Sequence, residues 1–537
     1  MKLPLLIGAA ALAFTAPALA QSAPSLERIE ADTTILAADE MGGRELGTEG
    51  YDKAAAYVAA QMAAMGLKPG GDGQTFLQAI TLAKVADHAD APPSMRLGRK
   101  TLVHGEDVII ETDPALGAFE KSYDLVYVGD GFDAPQYGSS AYGDVDVRGK
   151  IVVISAFFLE KGPADVLAHI NQSPFAIAAA KGAAGLMMMV PQGMPDDVWN
   201  EISAEQNGGG INLADAQGVP VDKLDGLEVA IMLNPKVNAD LLRGTVSPMV
   251  IDQGYMTGKF PPSFAIKERL DLSATPTSSE RIDSANVIGM IEGSDPALAD
   301  EVIVVTAHLD HVGTQSDHEG EDKIFNGAFD NAIGVASMLE AARMALAADT
   351  PPRRSIAFVA LGAEEQGLFG SAHLAKAGNI AGKRIVANVN LDMPLTFVPF
   401  DRVIAFGAEH STIGDDVAAV ARDMGLKIMA DPQPDEAFFV RSDHYSFVKE
   451  GIPSVMLDVW PAKNGAAVNK RFMENHYHDP SDEVGIITDW KPTGEFARLN
   501  ALLIQLLAAA DAAPLWYEDS YFGTTLAPRA PKARRAQ

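Results

Sequence analysis

From Ser284 onward the chain alternates short apolar, β-branched runs with Ala- and Leu-rich helical stretches, and that alternation leaves few architectures open. Asn286 to Ile291, Val302 to Thr306, Ser355 to Leu361, Ile385 to Leu391, Val403 to Phe406 and Ser454 to Leu457 read as strands. Ala332 to Ala347, Leu368 to Ala377, Ile413 to Met424 and Thr493 to Ala510 carry the helical period. Strand and helix in turn predict an α/β fold, one mixed, mainly parallel sheet sandwiched by helices. Such sheets bind ligands just beyond the carboxyl ends of their strands. The residues standing at those ends are therefore the candidate site.

Val302 to Thr306 runs into Ala307-His308-Leu309-Asp310, Ser355 to Leu361 into Gly362-Ala363-Glu364-Glu365, and Ile385 to Leu391 into Asp392. Asp330-Asn331 opens the first helix, where the dipole favours an anionic group. Each has an ordinary reading by itself: a satisfied histidine, a helix cap, a solvated loop, a turn former. Four segments delivering His or carboxylate to one rim do not share such a reading. The chemistry they suit is metal-assisted hydrolysis. Two divalent ions about 3.5–4 Å apart need a carboxylate that bridges them, with further ligands on each. Asp330 suits the bridge. Of two adjacent glutamates, one can bind while the other takes a proton. Asp310, two residues after His308, is placed to orient that imidazole. A fifth ligand is still wanted, and His410, His444, His476 and His478 are the candidates.

The remainder of the chain bounds the setting. Its 537 residues suffice for two or three domains. Residues 1–20 have Lys2, an apolar run from Leu3 to Phe14 and Ala18-Leu19-Ala20, the pattern of a cleaved secretory signal peptide. A periplasmic or secreted protein is expected, without membrane attachment once the signal is removed. A net charge of -30 argues against nucleic acid as a partner. There are no cysteines, so a transition metal must be held by His, Asp and Glu. Tyr51 to Met65 reads as a helix after a sharp bend at Gly42-Gly43-Arg44. Leu125 to Val128, Ile151 to Ile154 and Leu186 to Val190 read as strands of a smaller β-rich domain over residues 111–253. That domain is inserted between residues 21–110 and 254–515 of the main one. Residues 516–537 are read as a tail, disordered from Ala527, where Pro, Arg and Lys replace any apolar pattern.

These motifs occur in an order that resembles metallopeptidase family 28 of clan MH, which includes bacterial zinc aminopeptidases and glutamate carboxypeptidase. The resemblance is carried by Ala307-His308-Leu309-Asp310, Gly327-Ala328-Phe329-Asp330-Asn331, Gly362-Ala363-Glu364-Glu365-Gln366-Gly367, Asn390-Leu391-Asp392 and Tyr477-His478. Gly43-Arg44-Glu45-Leu46-Gly47-Thr48 is similar to that family's amino-terminal region. Asp146-Val147-Arg148-Gly149-Lys150-Ile151 and Lys181-Gly182-Ala183-Ala184-Gly185 look like a protease-associated domain. The resemblance implies two zinc ions, one on His308 and Asp392, the other on Glu365 and His478, bridged by Asp330. It also implies Glu364 as general base, a cis peptide at Asp330-Asn331, and Tyr477 as a stabiliser of the tetrahedral intermediate. Asp443 and His444 resemble a loop near the substrate pocket, while His311 and His476 match no family role. The implied substrate is a peptide with a free amino terminus. A carboxypeptidase on the same scaffold should instead line its pocket with arginines, of which only Arg441 stands near. A binding protein on a dead fold should have lost these ligands.

Overall fold

Strand Glu301–His308 shows why the larger sheet forms. Val302 and Val304 turn to one face, Ile303, Val305 and Ala307 to the other, and all are buried. A strand apolar on both faces belongs in the middle of a sheet covered on both sides. The computed structural model describes residues 23–85, 92–156, 158–207, 210–221, 224, 226–275, 279–461 and 463–535. The expected signal peptide lies outside the described residues.

Glu301–His308 pairs in parallel with Ser355–Leu361 and with Lys383–Asn390, which pairs in parallel with Ser454–Trp460. Beyond Ser355–Leu361 the order continues through Ser279–Ile291, Leu77–Val85 and Gly210–Leu213, all antiparallel. Beyond Ser454–Trp460 it continues antiparallel to Arg402–Phe406 and then parallel to Lys427–Met429. The sheet is thus mixed with a parallel centre, as the alternation predicts. Helices Glu49–Ala64, Ile333–Leu346, Ile413–Asp423 and Lys491–Ala509 cover one face. Phe369–Ala377 and His444–Lys449 cover the other. Among the described residues no helix is long and apolar enough to cross a membrane.

A second sheet has eight strands and a parallel centre of its own, Phe119–Tyr127, Ile151–Ser155, Gly185–Met189 and Val229–Leu233. Its limits differ from the expected 111–253. Ser94–Leu97, Lys100–Leu102 and Val108–Thr112 belong to it on one side, and Phe264–Ala274 on the other. The cause is pairing: Met95, Leu97, Ile266, Leu270 and Leu272 alternate inward and complete one core. One strand of the intervening chain, Gly210–Leu213, leaves this region to edge the larger sheet.

The two regions meet along helix Ala164–Asn171. Its Val166 and Ile170 join Phe439, Tyr445, Trp460 and Phe522 in one apolar cluster, and His169 Nδ1 lies 2.7 Å from the Tyr445 hydroxyl. The C-terminal segment also departs from expectation, since Lys532–Ala533 pairs in parallel with Trp516–Tyr517. Arg534 and Arg535 pair with Glu518 and Asp519, and Arg535 lies over the Tyr517 ring. Backbone pairing and charge, rather than an apolar pattern, order residues up to 535.

Candidate metal centre

Register brings the site together. His308 stands beside Leu361 across the parallel pair, so the Glu364-Glu365 turn follows directly on the same edge. Thr306 stands beside Asn390, which puts Asp392 level with His308. Between strand Glu301–His308 and helix Ile333–Leu346 the chain makes a tight turn over 328–332, where Asp330-Asn331 is a cis peptide, as the resemblance implies. Gly327 enters that turn at φ +56°, and a Cβ there would sit 2.2 Å from the Asp330 carbonyl oxygen. Asn331 ties the turn to the next strand end, donating to the Leu391 carbonyl at 3.0 Å and accepting from the Met393 amide at 3.2 Å.

Asp330 divides its carboxylate. Oδ1 lies 3.2 Å from His308 Nε2, and Oδ2 lies 3.2 Å from His478 Nε2. His308 Nε2 is also 3.1 Å from Asp392 Oδ1, and His478 Nε2 is 3.2 Å from Glu365 Oε2. Two groups result that share Asp330: His308, Asp330 and Asp392, and His311, Asp330, Glu365 and His478, each with its ligand atoms within 4.8 Å of one another. His478 Nε2 is buried and has hydrogen-bond geometry to neither carboxylate, although both are close. Imidazole nitrogens that approach one carboxylate from two sides, as His308 and His478 approach Asp330, are arranged as ligands on either side of a shared one. The residues fit a pair of cations bridged by Asp330.

Electrostatics agree. Burial works against the charged form of His478, yet Asp330 and Glu365 lift its pKa to about 10. His308 is raised as well, because Asp392 and Glu364 outweigh the cost of burial. Burial drives the Glu364 carboxyl well above the usual carboxylate range, and Asp392, Asp443 and Glu365 add to the shift. A cluster with this excess of negative charge calls for cations.

The support around the cluster differs in one respect from the sequence reading. His308 Nδ1 meets the main-chain carbonyl of Asp310, at 3.1 Å, and not its carboxylate. The Asp310 side chain, fully buried, turns instead to the Glu364 and Glu365 amides and accepts from both at 3.2 Å. The correction has a plain cause: a buried carboxylate takes the position where two amide donors satisfy it. Asp310 thus holds the loop that carries the two glutamates. Asp392 is held in turn by Ser442, whose hydroxyl donates to Oδ2 at 2.5 Å. Tyr477 stacks on the His478 ring with centroids 4.0 Å apart and lines the adjoining cleft.

Residues 286–504 match the model of peptidase family M28. The likeness to that family is thus carried by the second half of the chain. A protein named probable zinc metalloprotease from Pyrenophora teres f. teres is 34% identical over 123 residues, 22% of this chain and 25% of that protein. Aminopeptidase YwaD of Bacillus subtilis is 29% identical over 207 residues, 37% of this chain and 40% of its own. This chain therefore spans about a quarter to two fifths of the curated relatives it matches. Among solved structures, an aminopeptidase from Aneurinibacillus sp. strain AM-1 aligns over 91% of this chain and 95% of that one, at 19% identity and a TM-score of 0.44.

Three residues of the site escape the sequence reading, two within the matched segment and one far before it. His311 Nδ1 lies 2.7 Å from Glu365 Oε1 and its ring meets His478 edge-on. Its only signal is that it directly follows Asp310. Asp482 accepts the Phe329 amide at 3.0 Å and the Asp330 amide at 3.1 Å, fixing the turn that carries the bridge. Arg44 is fully buried below that turn. It donates to the carbonyls of Leu309 at 2.8 Å, Leu36 at 2.7 Å, Asn326 at 2.5 Å and Gly327 at 2.9 Å. Burial lowers its pKa to about 10 against the pull of Asp330, Asp482, Asp310 and Glu365. Gly43 allows the approach, since a Cβ there would lie 2.4 Å from the Gly313 carbonyl oxygen. The other candidate histidines lie elsewhere. His410 pairs closely with Asp165, His476 meets Ser481 at 2.9 Å, and His444 is buried against Phe439.

Proposed function

We propose that this chain is an exported di-zinc aminopeptidase whose smaller sheet is a protease-associated domain. The observation that carries the reading is the division of Asp330 between His308 and His478. His308 and Asp392 would hold one zinc, Glu365 and His478 the other, with Asp330 between them. When bound there, zinc supplies Lewis acidity, polarising the scissile carbonyl and making water a stronger acid. Glu364 takes the proton of the attacking water and returns it to the leaving amine. Its carboxylate is aimed by Asp310, through the backbone of the loop. Burial, and the charges of Asp330 and Glu365, raise the Tyr477 pKa, so its hydroxyl stays protonated and can donate to the developing oxyanion. The printed names of relatives, a zinc metalloprotease and an aminopeptidase, support the same reading.

The cleft beside the cluster favours an amine over a carboxylate. Its lining includes Asp431 and Asp458, while its one arginine, Arg441, stands near Glu436 with 3.5 Å between the charged groups. A carboxypeptidase pocket for acidic ends would want the reverse. The test is hydrolysis of aminoacyl chromogenic amides beside N-acetylated peptides with free carboxyl ends, before and after chelation and zinc restoration. Cleavage of the free-amine substrates alone, abolished by chelation and restored by zinc, is the expected result. Cleavage of the blocked peptides alone would move the protein to the carboxypeptidases.

A further inference from the structure

The wall of the cleft is built with the two-residue period of a strand. Along Ser454–Trp460, Val455, Leu457 and Val459 face the main core, while Met456, Asp458 and Trp460 face the cleft. The neighbouring strand pairs Ile404 with Asp458 and Phe406 with Met456, and both of these partners also line the cleft. One carboxylate therefore interrupts a face that is otherwise Ile404, Phe406, Met456 and Trp460. Asp458 Oδ1 accepts the Leu395 amide at 3.3 Å and the Val459 amide at 2.7 Å, which fixes its direction. Its neighbours in charge are carboxylates, Asp392 on the metal side and Asp431 further along. Among the described residues neither Asp458 nor Asp431 has a basic partner. Burial, with Asp392 and Asp431, pushes Asp458 up to about 7. A desolvated carboxylate without a cation is costly to keep, and a ligand that brings the cation removes that cost.

We propose that this cleft selects an amino-terminal residue with a long cationic side chain, lysine or arginine. Its methylenes lie along Ile404, Phe406 and Met456, and its charge meets Asp458 beside the Trp460 ring. An aliphatic stem with a cationic end matches an apolar wall with one carboxylate, and an aromatic face adds attraction for the cation. The inference rests on the aminopeptidase reading above and deepens it.

The test compares kcat/KM for lysyl, arginyl, norleucyl and citrullyl amides in the wild type and in Asp458→Asn. Asparagine keeps the oxygen that accepts the Leu395 and Val459 amides and removes only the charge. Norleucine and citrulline keep the stem without the cation. Lysyl over norleucyl and arginyl over citrullyl should each exceed about 10-fold in the wild type and fall to within about 3-fold in the variant. Equal or better turnover of the neutral analogues by the wild type would overturn the proposal. So would an equal loss on all four substrates, because that marks a structural role or a contact with the α-ammonium they share. Binding of free L-lysine and L-norleucine to the zinc-loaded protein by calorimetry separates this from the parent reading. If no amide is cleaved but lysine outbinds norleucine only when Asp458 is present, the cleft assignment stands and the aminopeptidase reading fails. If leucyl amide is cleaved and the two amino acids bind alike, the reverse holds.

Discussion

The two sheets of this protein share a parallel centre and differ in what stands at its carboxyl edge. In the larger sheet His308, Glu364, Glu365 and Asp392 follow three strand ends and face one another with a surplus of carboxylate oxygen. In the smaller sheet hydroxyl and amide groups at that edge bond one another or the main chain, with Asn238 Oδ1 left over. The Tyr127 hydroxyl and Ser155 Oγ are 2.8 Å apart, Tyr255 donates to the Met189 carbonyl at 2.6 Å, and Asn238 donates to the Val190 carbonyl at 2.9 Å. An edge of neutral groups that bond one another or the main chain makes no demand for a cation. An edge with surplus anionic acceptors is prepared for a cation and for chemistry. The topology of the strands does not separate the two cases; the bookkeeping of donors and acceptors does.

Four substitutions would break or sharpen this contrast. The largest effect is expected from Glu364→Gln, which should lower kcat by about 10³-fold with bound zinc unchanged by elemental analysis. Full turnover in a zinc-replete variant would remove Glu364 from its role. Arg44→Met should come next, costing about 3 kcal/mol or more in denaturant unfolding. It leaves several buried carbonyls without donors, and zinc content after dialysis should drop with it. A variant as stable as wild type and fully loaded would mean that the metal loops stand without the guanidinium.

The third tests the seam between the sheets. Burial, with the nearby charge of Lys449, lowers the His169 pKa to about 4. The unfolded chain takes up that proton near pH 6.5, whereas the folded one resists until pH 4. The contribution of His169 to stability is therefore complete above the higher value and is lost as pH falls toward the lower, by at most about 3 kcal/mol. His169→Gln should show a shallower fall in stability than wild type between those two pH values, measured by urea titrations. Parallel pH curves would separate His169 from acid sensitivity. The smallest effect is expected from Tyr127→Phe, which should cost about 1 kcal/mol and leave kcat/KM unaltered. Loss of turnover there would show that the smaller sheet's edge is not self-contained.

Much of the large sheet and of the candidate site at its edge is legible in sequence because both depend on local order. Apolar runs of strand length mark the sheet, and the residues just past them must lie on one edge. His308, Glu365 and Asp392 are found that way, and the register places them as the spacing implies. What is not legible depends on distant returns of the chain. Gly210–Leu213 pairs with Leu77–Val85, and Ser94–Leu97 with Phe264–Ala274, with no local period to announce either. Asp482 reaches the amides of Phe329 and Asp330 across more than 150 positions. The role of Asp310 is not legible for a related reason. Sequence spacing places a side chain near its neighbour but does not reveal which donors, here the Glu364 and Glu365 amides, compete for it.

Arg44 carries a consequence for the order in which this protein comes into being. Its contacts to Leu309, Asn326 and Gly327 join positions 265 to 283 residues apart, and the whole smaller sheet is spelled out between them. Long closures of this kind form late, since their entropy must be met before they give anything back. The turn that presents Asp330 therefore gains its cationic footing only when the first and middle thirds of the chain have met. A chain cut back to residues 286–504 would retain the parallel strands at the centre of the larger sheet and every candidate ligand while lacking that footing. On the function proposed above, capture of metal would report that the fold is complete, and a half-made chain would stay without hydrolytic power.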